Sequence, residues 1–311
     1  MMACASRYDE SNAAPATVMY RGRFAPSPTG SLHFGSLVAA VGSWLFAHAA
    51  DGAWIVRMED LDREREVAGA AADILATLDA FGLESDERVI YQSTRTDIYA
   101  AALVGLETGD HIYRCWCSRS DLDPFGGIHP RVCIVRKTSR PPAWRVRVHD
   151  AIIGFDDAIQ GSLVQDLRRE VGDFVVWRAE NGCAYQLAVV VDDAEQRINA
   201  IVRGTDLLDS TPRQILLQRL LGFSRPGYAH LPLATGVNGC KLSKHEAALP
   251  VDAADPLPAL RAALGFLGQA APSAGTPATL LACAVREFDA HRIPCASNLR
   301  LPIAAVREET S

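Results

Sequence analysis

The chain has 311 residues, 49% hydrophobic and 22% charged, which excludes a disordered protein and allows one large or two modest domains. Its net charge of −6 excludes a uniformly basic nucleic-acid binder but not a local basic surface. No run of eighteen apolar residues free of charge occurs, and the first twenty residues lack an apolar core with basic flanks, so neither a membrane span nor a secretory signal is expected.

Residues 1–17 are small and polar and read as a flexible extension. Val18 to Phe24 suits a short strand and runs into the loop Ala25-Pro26-Ser27-Pro28-Thr29-Gly30. Leu32 to Ala49 is apolar on nearly every side, as in a buried helix. Trp54 to Met58 reads as a strand ending in Glu59-Asp60. Val67 to Phe81 carries Ala71, Ile74, Leu78 and Phe81 at helical spacing, and a further helix is expected from Thr96 to Glu107. This alternation predicts an α/β fold with a parallel sheet, whose ligands sit beyond the carboxyl ends of the strands.

From Cys115 to about Gly172 helical periodicity fades while Gly, Pro and Arg increase, which suggests an insertion with its own small fold. The α/β pattern returns with Tyr185 to Asp192, Ile198 to Val202, and a helix opened by Thr211-Pro212. Helices are expected at Leu257 to Leu267 and Thr276 to Ala290. The organisation is thus an extension (1–17), a first catalytic half (18–114), an insertion (115–172), a second half (173–250) and a short helical C-terminal region (251–311). Mostly scattered cysteines among the eight point to a reducing, cytoplasmic setting. No long exposed apolar helix demands a partner, so a monomer is expected.

Four groups of residues carry chemistry. His33-Phe34-Gly35-Ser36 opens the buried helix, where free N–H groups and the helix dipole favour phosphate. Lys241-Leu242-Ser243-Lys244 suits a cationic clamp on a triphosphate. Cys115, Cys117, His129 and Cys133 make a Cys3His set, either a closed structural zinc site or reduced thiols beside a surface histidine. Arg23, Arg203, Glu59 and Tyr185 supply cations for carboxylates, an anion for an ammonium, and a hydroxyl. Asp192-Asp193 reads as structural or solvated rather than as a metal pair. The stretch holding Arg131, Arg136, Lys137, Arg140, Arg145 and Arg147 is either a solvated face or one that meets RNA.

Taken in order, these segments resemble the class I aminoacyl-tRNA synthetases. The resemblance lies in Arg23-Phe24-Ala25-Pro26-Ser27-Pro28-Thr29-Gly30, His33-Phe34-Gly35-Ser36 and Lys241-Leu242-Ser243-Lys244. Val56-Arg57-Met58-Glu59-Asp60-Leu61-Asp62, Val202-Arg203-Gly204-Thr205-Asp206 and Thr211-Pro212-Arg213-Gln214 are similar to the glutamyl branch in particular. The likeness covers about residues 20 to 250. It implies a Rossmann-like catalytic core with a zinc-containing insertion. It departs from the family where Phe34-Gly35-Ser36 replaces Ile-Gly-His, and where Leu242 and His245 replace Met and Ser. Ser36 then stands in as a donor for the missing histidine.

The resemblance also implies roles. His33 and Lys244 would be catalytic, and His33, Gly35, Ser36, Lys241, Ser243 and Lys244 would hold ATP with Mg2+. Arg23, Ala25, Ser27, Glu59, Tyr185 and Arg203 would hold L-glutamate. Zinc would sit on Cys115, Cys117, His129 and Cys133, with His129 where relatives commonly carry tyrosine. Only 67 residues follow Lys244, too few for the anticodon-binding domain of a full glutamyl-tRNA synthetase. The expectation is therefore the truncated glutamyl-Q tRNA(Asp) synthetases, which attach glutamate to queuosine in tRNA(Asp). A truncated enzyme charging the tRNA 3' end, or a non-catalytic zinc-stabilised RNA-binding paralogue, is the alternative.

Overall fold

β1 (Arg21–Phe24) and β2 (Ala53–Met58) pair in parallel, with Arg21 opposite Ala53 and Phe24 opposite Val56. Between them runs α1 (Phe34–His48). The computed structural model describes residues 19–130, 132–180, 182–235, 251–272 and 275–300. α2 (Ala70–Ala80) follows β2. It starts three residues later than the apolar spacing predicts, because Gly69 takes a left-handed φ of 84° at its N-cap and interrupts the helix there. β3 (Ile90–Tyr91) extends the sheet beside β2, and α3 (Thr96–Thr108) closes this half.

The next segment is β4 (Ile112–Cys115), α4 (Arg119–Leu122), β5 (Ala143–Val146), β6 (Ile152–Asp157), β7 (Gly161–Asp166), α5 (Leu167–Glu170), β8 (Val175–Arg178) and β9 (Gly182–Cys183). β4, β5, β8 and β9 form an antiparallel sheet in that order. This sheet takes strands from both sides of the expected insertion. The hairpin β6–β7 leaves it and joins the catalytic sheet instead. α6 (Tyr185–Glu195), β10 (Ala200–Gly204), α7 (Thr211–Leu221), β11 (Gly227–Leu231) and β12 (Leu233–Thr235) complete the second half. β10 pairs in parallel with β11, and β11 meets β6 where Tyr228 faces Asp157. The two halves are tied where the Asn199 N–H donates to Arg21 O at 3.1 Å and the Arg21 N–H donates to Asn199 Oδ1 at 2.8 Å.

α8 (Pro256–Phe266) and α9 (Pro277–Arg286) pack on the α1 side of the core. The C-terminal region, expected to be helical, also supplies a strand. β13 (Asn298–Arg300) pairs in parallel with β12. No periodic run announced these three residues, because pairing rather than intrinsic preference makes them a strand.

Strand alternation divides the core into two faces. Phe24, Trp54, Val56, Met58 and Val202 pack with α1, α2, α8 and α9. Ile55 and Ile201 pack with α6 and α7. Arg23 and Arg57 share this second face and meet α6 there. Asp193 Oδ1 accepts from Arg23 Nε at 3.1 Å and Arg57 Nη2 at 2.8 Å. Asp192 accepts from Arg95 Nε at 2.7 Å, and from Gln92 Nε2 and the Tyr99 hydroxyl at 2.8 Å each. Arg57 and Asp192 are fully buried. The pair Asp192-Asp193 is thus structural, as the sequence suggested.

Burial opposes charge on Asp193, but Arg23 and Arg57 outweigh it and hold its carboxyl below the usual range. Removing one member of such a network leaves its partners charged in low dielectric. Asp192→Ala is therefore expected to lower the unfolding free energy by about 3–5 kcal/mol in urea denaturation. A loss below about 1 kcal/mol would deny Asp192 its bracing role.

Candidate active site

β1, β2, β10 and β11 all end beside one cavity of about 510 Å3, as strand topology requires of an α/β ligand site. Arg23 comes from β1, Glu59 from the residue after β2, Arg203 from β10 and Tyr185 from the first residue of α6. Ala25, Ser27, His33, Gly35 and Ser36 line the same cavity. The structure therefore brings together every predicted glutamate and ATP residue that it describes. Lys241, Ser243 and Lys244 lie outside the described residues.

Each wall has a local cause. The Pro-rich loop is held against the end of β2 by the Glu59 N–H, which donates to Pro26 O at 2.9 Å. Arg23 is buried at 3% exposure, and its Nε is committed to Asp193. Arg203 is buried at 5%; its Nε donates to His230 Nε2 at 3.1 Å and its Nη2 to Thr211 Oγ1 at 2.8 Å. Arg203 Nη1 is buried without a hydrogen-bond partner, and so is Glu59 Oε1. Burial pushes the Glu59 carboxyl up to about 7, although Arg57 and Arg23 pull the other way. The cavity thus presents an orphaned cationic donor and an orphaned acidic acceptor, a complement to a ligand bearing both signs.

At the other end, His33 caps α1. Its Nδ1 accepts from Ser36 N–H at 3.2 Å, so in the neutral ring Nε2 carries the proton and donates to Ser36 Oγ at 3.0 Å. This leaves the Ser36 hydroxyl free to donate onward. An added Cβ at Gly35 would lie 3.2 Å from His33 Cε1, so glycine gives the imidazole its room.

A second cluster lies off the cavity, at the end of β4. The ligating atoms of Cys115, Cys117, His129 and Cys133 lie within 4.8 Å of one another. Cys115 Sγ is 3.3 Å from His129 Nε2 and 3.8 Å from Cys133 Sγ, and Cys117 Sγ is 3.5 Å from Cys133 Sγ. Bonds of about 2.0–2.3 Å to tetrahedral zinc give edges of roughly 3.4–3.8 Å, so the four residues fit that ion. His129 Nδ1 contacts Pro130 O at 2.6 Å and the Tyr113 hydroxyl at 3.0 Å, and Tyr113 donates to Asp173 Oδ2 at 2.8 Å. These contacts turn Nε2 toward the cysteines. Burial lowers the His129 pKa, which favours the neutral imidazole a metal needs.

The profile described as tRNA synthetases class I (E and Q), catalytic domain, matches residues 19–125 and 135–264. The chain belongs to this family. A "Glutamyl-Q tRNA(Asp) synthetase" of Xanthomonas campestris pv. campestris is 54% identical, covering 90% of this chain and 95% of the relative. A protein of the same name from Burkholderia cenocepacia is 53% identical, covering 81% and 89%. A solved glutamate tRNA ligase from Elizabethkingia meningosepticum, in complex with its amino acid, superposes with a TM-score of 0.77. It is 25% identical, covering 92% of this chain and 68% of that one.

The synthetase fold also corrects one sequence expectation. Arg145, counted within the basic stretch, is buried and donates from Nη1 to Asp173 O at 2.8 Å. Arg136, Lys137 and Arg140 are exposed, while the Arg147 guanidinium lies 4.8 Å from the Tyr113 ring centre. Two residues that shape the synthetase cavity were not singled out by sequence. Asp206 lines it, and His230 orients Arg203 from behind. Asp206 lay inside a motif already quoted, whereas His230 has no local signal. No helix among the described residues is long and apolar enough to cross a membrane.

The thiol–imidazole geometry generates a direct expectation. The purified synthetase should carry about one zinc per chain by plasma mass spectrometry, and Cys117→Ser should lower that by at least half. Wild-type protein free of bound zinc after purification without chelator would reject the assignment.

Proposed function

We propose that this chain activates L-glutamate with ATP to glutamyl-adenylate and transfers the glutamyl group to queuosine in tRNA(Asp). The observation that carries the first half is that two buried arginines share one cavity, beside the N-terminus of α1, with Glu59, whose Oε1 has no hydrogen-bond partner. Arginine's planar donors suit the glutamate side-chain carboxylate, and Glu59 suits its ammonium. Tyr185 adds a hydroxyl, and Ala25 and Ser27 frame the substrate from the loop. The α-carboxylate attacks the α-phosphorus of ATP, whose phosphates carry Mg2+ as part of the substrate, and pyrophosphate leaves; a diol hydroxyl of queuosine then attacks the adenylate carbonyl, and AMP leaves. His33, Ser36 and the N–H groups near Gly35 bind phosphate oxygens. Lys241, Ser243 and Lys244 are assigned to the triphosphate from their sequence motif, with Lys244 stabilising charge that develops toward pyrophosphate.

The acceptor half rests on the relatives. Those named Glutamyl-Q tRNA(Asp) synthetase are matched over 95% and 89% of their own length. In this reading zinc stiffens the loop that carries exposed Arg136, Lys137 and Arg140 toward RNA. A cytoplasmic setting follows from a tRNA substrate.

ATP–pyrophosphate exchange tests activation. Exchange is expected with glutamate and without tRNA, and Lys244→Ala should slow it by about 10²–10³-fold. Absence of glutamate-dependent exchange would overturn the proposal. Base-labile glutamate should appear on tRNA(Asp) that contains queuosine and not on tRNA lacking it. Equal labelling of both would move the acceptor to the 3' end.

The raised Glu59 carboxyl gives a pH expectation. Only ionised Glu59 pairs with the substrate ammonium, and protonation below about 7 removes that charge. KM for glutamate should therefore rise by up to about tenfold per pH unit as pH falls below 7, with a flat limb above. A level KM from pH 5.5 to 8 would remove Glu59 from ammonium binding.

A further inference from the structure

Behind Arg203 lies a chain of buried groups that reaches into the β6–β7 hairpin. Asp157 is the last residue of β6, where alternation turns it inward with Ile153 and Phe155. Its Oδ1 accepts three backbone N–H groups, from Ile159 at 3.0 Å, Gln160 at 2.9 Å and His230 at 3.0 Å. Its Oδ2 meets His230 Nδ1 at 2.5 Å. The side chains of His230 and Asp157 are both fully buried. On the far side of the ring, His230 Nε2 faces Arg203 Nε at 3.1 Å.

These contacts leave one proton arrangement. Arg203 Nε is always a donor, so His230 Nε2 must accept. The proton of neutral His230 then sits on Nδ1 and goes to Asp157. Burial opposes charge on Asp157, but its bonds from His230 and the backbone prevail and keep the carboxyl below the usual range. Burial likewise lowers His230, so the imidazole stays neutral. Thr211 Oγ1 takes Arg203 Nη2 at 2.8 Å and Leu207 O takes it at 3.4 Å, which leaves Nη1, without a hydrogen-bond partner, as the donor remaining for a ligand in the cavity.

We propose that Asp157 and His230 are positioning residues for substrate recognition. They fix the tautomer and the angle at which Arg203 presents Nη1 to the carboxylate of glutamate. The inference rests on the reading of Arg203 as a glutamate ligand. It assigns a part of the amino-acid pocket to the β6–β7 hairpin, a segment that otherwise contributes nothing to the cavity wall.

Asp157→Asn tests the relay with minimal change of shape. The three backbone N–H groups require an oxygen at the Oδ1 position, so the new NH2 takes the place of Oδ2. That group donates to His230 Nδ1 and forces the proton onto Nε2, which then confronts the Arg203 Nε–H donor to donor. The same logic of a wrong tautomer is known for the aspartate of a catalytic triad. In ATP–pyrophosphate exchange, KM for glutamate should rise about ten- to hundredfold in Asp157→Asn, the range expected for a lost hydrogen bond to a charged group. The value of kcat and the KM for ATP should stay within about threefold, because Arg203 binds ground and transition states alike. His230→Gln places an amide oxygen toward Arg203 Nε and should raise KM for glutamate less than His230→Ala does.

Arg203→Ala in the same assay separates the two ideas. If wild-type protein shows no glutamate-dependent exchange, or Arg203→Ala leaves KM for glutamate unchanged, the underlying reading falls. If Arg203→Ala raises it and Asp157→Asn does not, the relay alone is overturned. A parallel rise in KM for ATP in Asp157→Asn would likewise replace positioning with general damage. Nitrogen-15 NMR of histidine-labelled wild-type protein decides independently of any variant's folding. His230 should be protonated at Nδ1, and a proton on Nε2 would overturn the proposal.

Discussion

Two adjacent buried aspartates on one helix constrain the rest of this molecule. Asp192 and Asp193 sit where the first half of the sheet packs on α6, and they draw Arg23, Arg57 and Arg95 from three different elements. Charges taken out of water at this depth are tolerated only when each finds partners at close range, since the desolvation cost is several kcal/mol per ion. The network therefore admits little play. β1, β2 and α3 must approach α6 in one register, or a guanidinium is left buried alone. Apolar packing on the same face, by Ile55, Tyr99, Leu187 and Val190, stabilises the approach but does not set its register so narrowly.

The cavity inherits this order. Arg23 belongs at once to the buried network and to the cavity wall, because only its Nε is spent on Asp193. Glu59 lies one residue beyond β2 and is 3.6 Å from Arg57 Nη2, so the same network fixes the acidic group. On the opposite side the wall is α1, whose N-terminus is capped by His33 and brings backbone N–H groups rather than side-chain charge. In the proposed function, carboxylate recognition and phosphate recognition are thus separated by construction. One end uses rigid guanidinium groups and the other uses a helix terminus. A reaction that joins a carboxylate to a phosphorus atom needs both ends within a few ångströms, and one strand-end cleft supplies them.

Much of this was legible in the sequence, for physical reasons that differ by element. The strands β1, β2 and β10 and the helix α1 declare themselves by apolar runs, α2 by helical spacing, and α7 by Thr211-Pro212 at its start. Arg23, Glu59 and Arg203 declare themselves by falling at strand ends. The Cys3His cluster is legible because Cys and His in short spacing have few other uses. What the sequence hid is whatever depends on contacts between distant segments. β13 is three residues whose strand character comes from β12. Asp157 and His230 are 73 positions apart and meet only because β6 and β11 are neighbours. Arg145 looked like part of a basic face, yet it lies in β5 between β4 and β8, is buried, and donates to Asp173 O. A charge count along the chain cannot distinguish a solvated arginine from one that stitches a sheet.

The antiparallel sheet explains how the cysteine–histidine cluster and the cavity belong to one construction rather than two. β4 ends on Cys115 and β9 ends on Cys183, so the sheet begins at the cysteine cluster and finishes two residues before Tyr185. Tyr185 starts α6, lines the cavity, and leads directly into the helix that carries Asp192 and Asp193. The Ala184 N–H donates to Val176 O at 2.9 Å, which holds that junction to β8. Asp173, just before β8, accepts from Tyr113 at one carboxylate oxygen and from the Val148 N–H at 2.9 Å at the other, while Tyr113 touches His129 of the cysteine cluster. The Ala184 and Val148 N–H groups, the Tyr113 hydroxyl and the Asp173 carboxylate are all paired at these joints, and a shift at any one would leave a neighbour unsatisfied. The insertion is better understood as a second wall of the catalytic core, anchored at its outer end by the cysteine–histidine cluster and at its inner end by the same helix that braces the arginines.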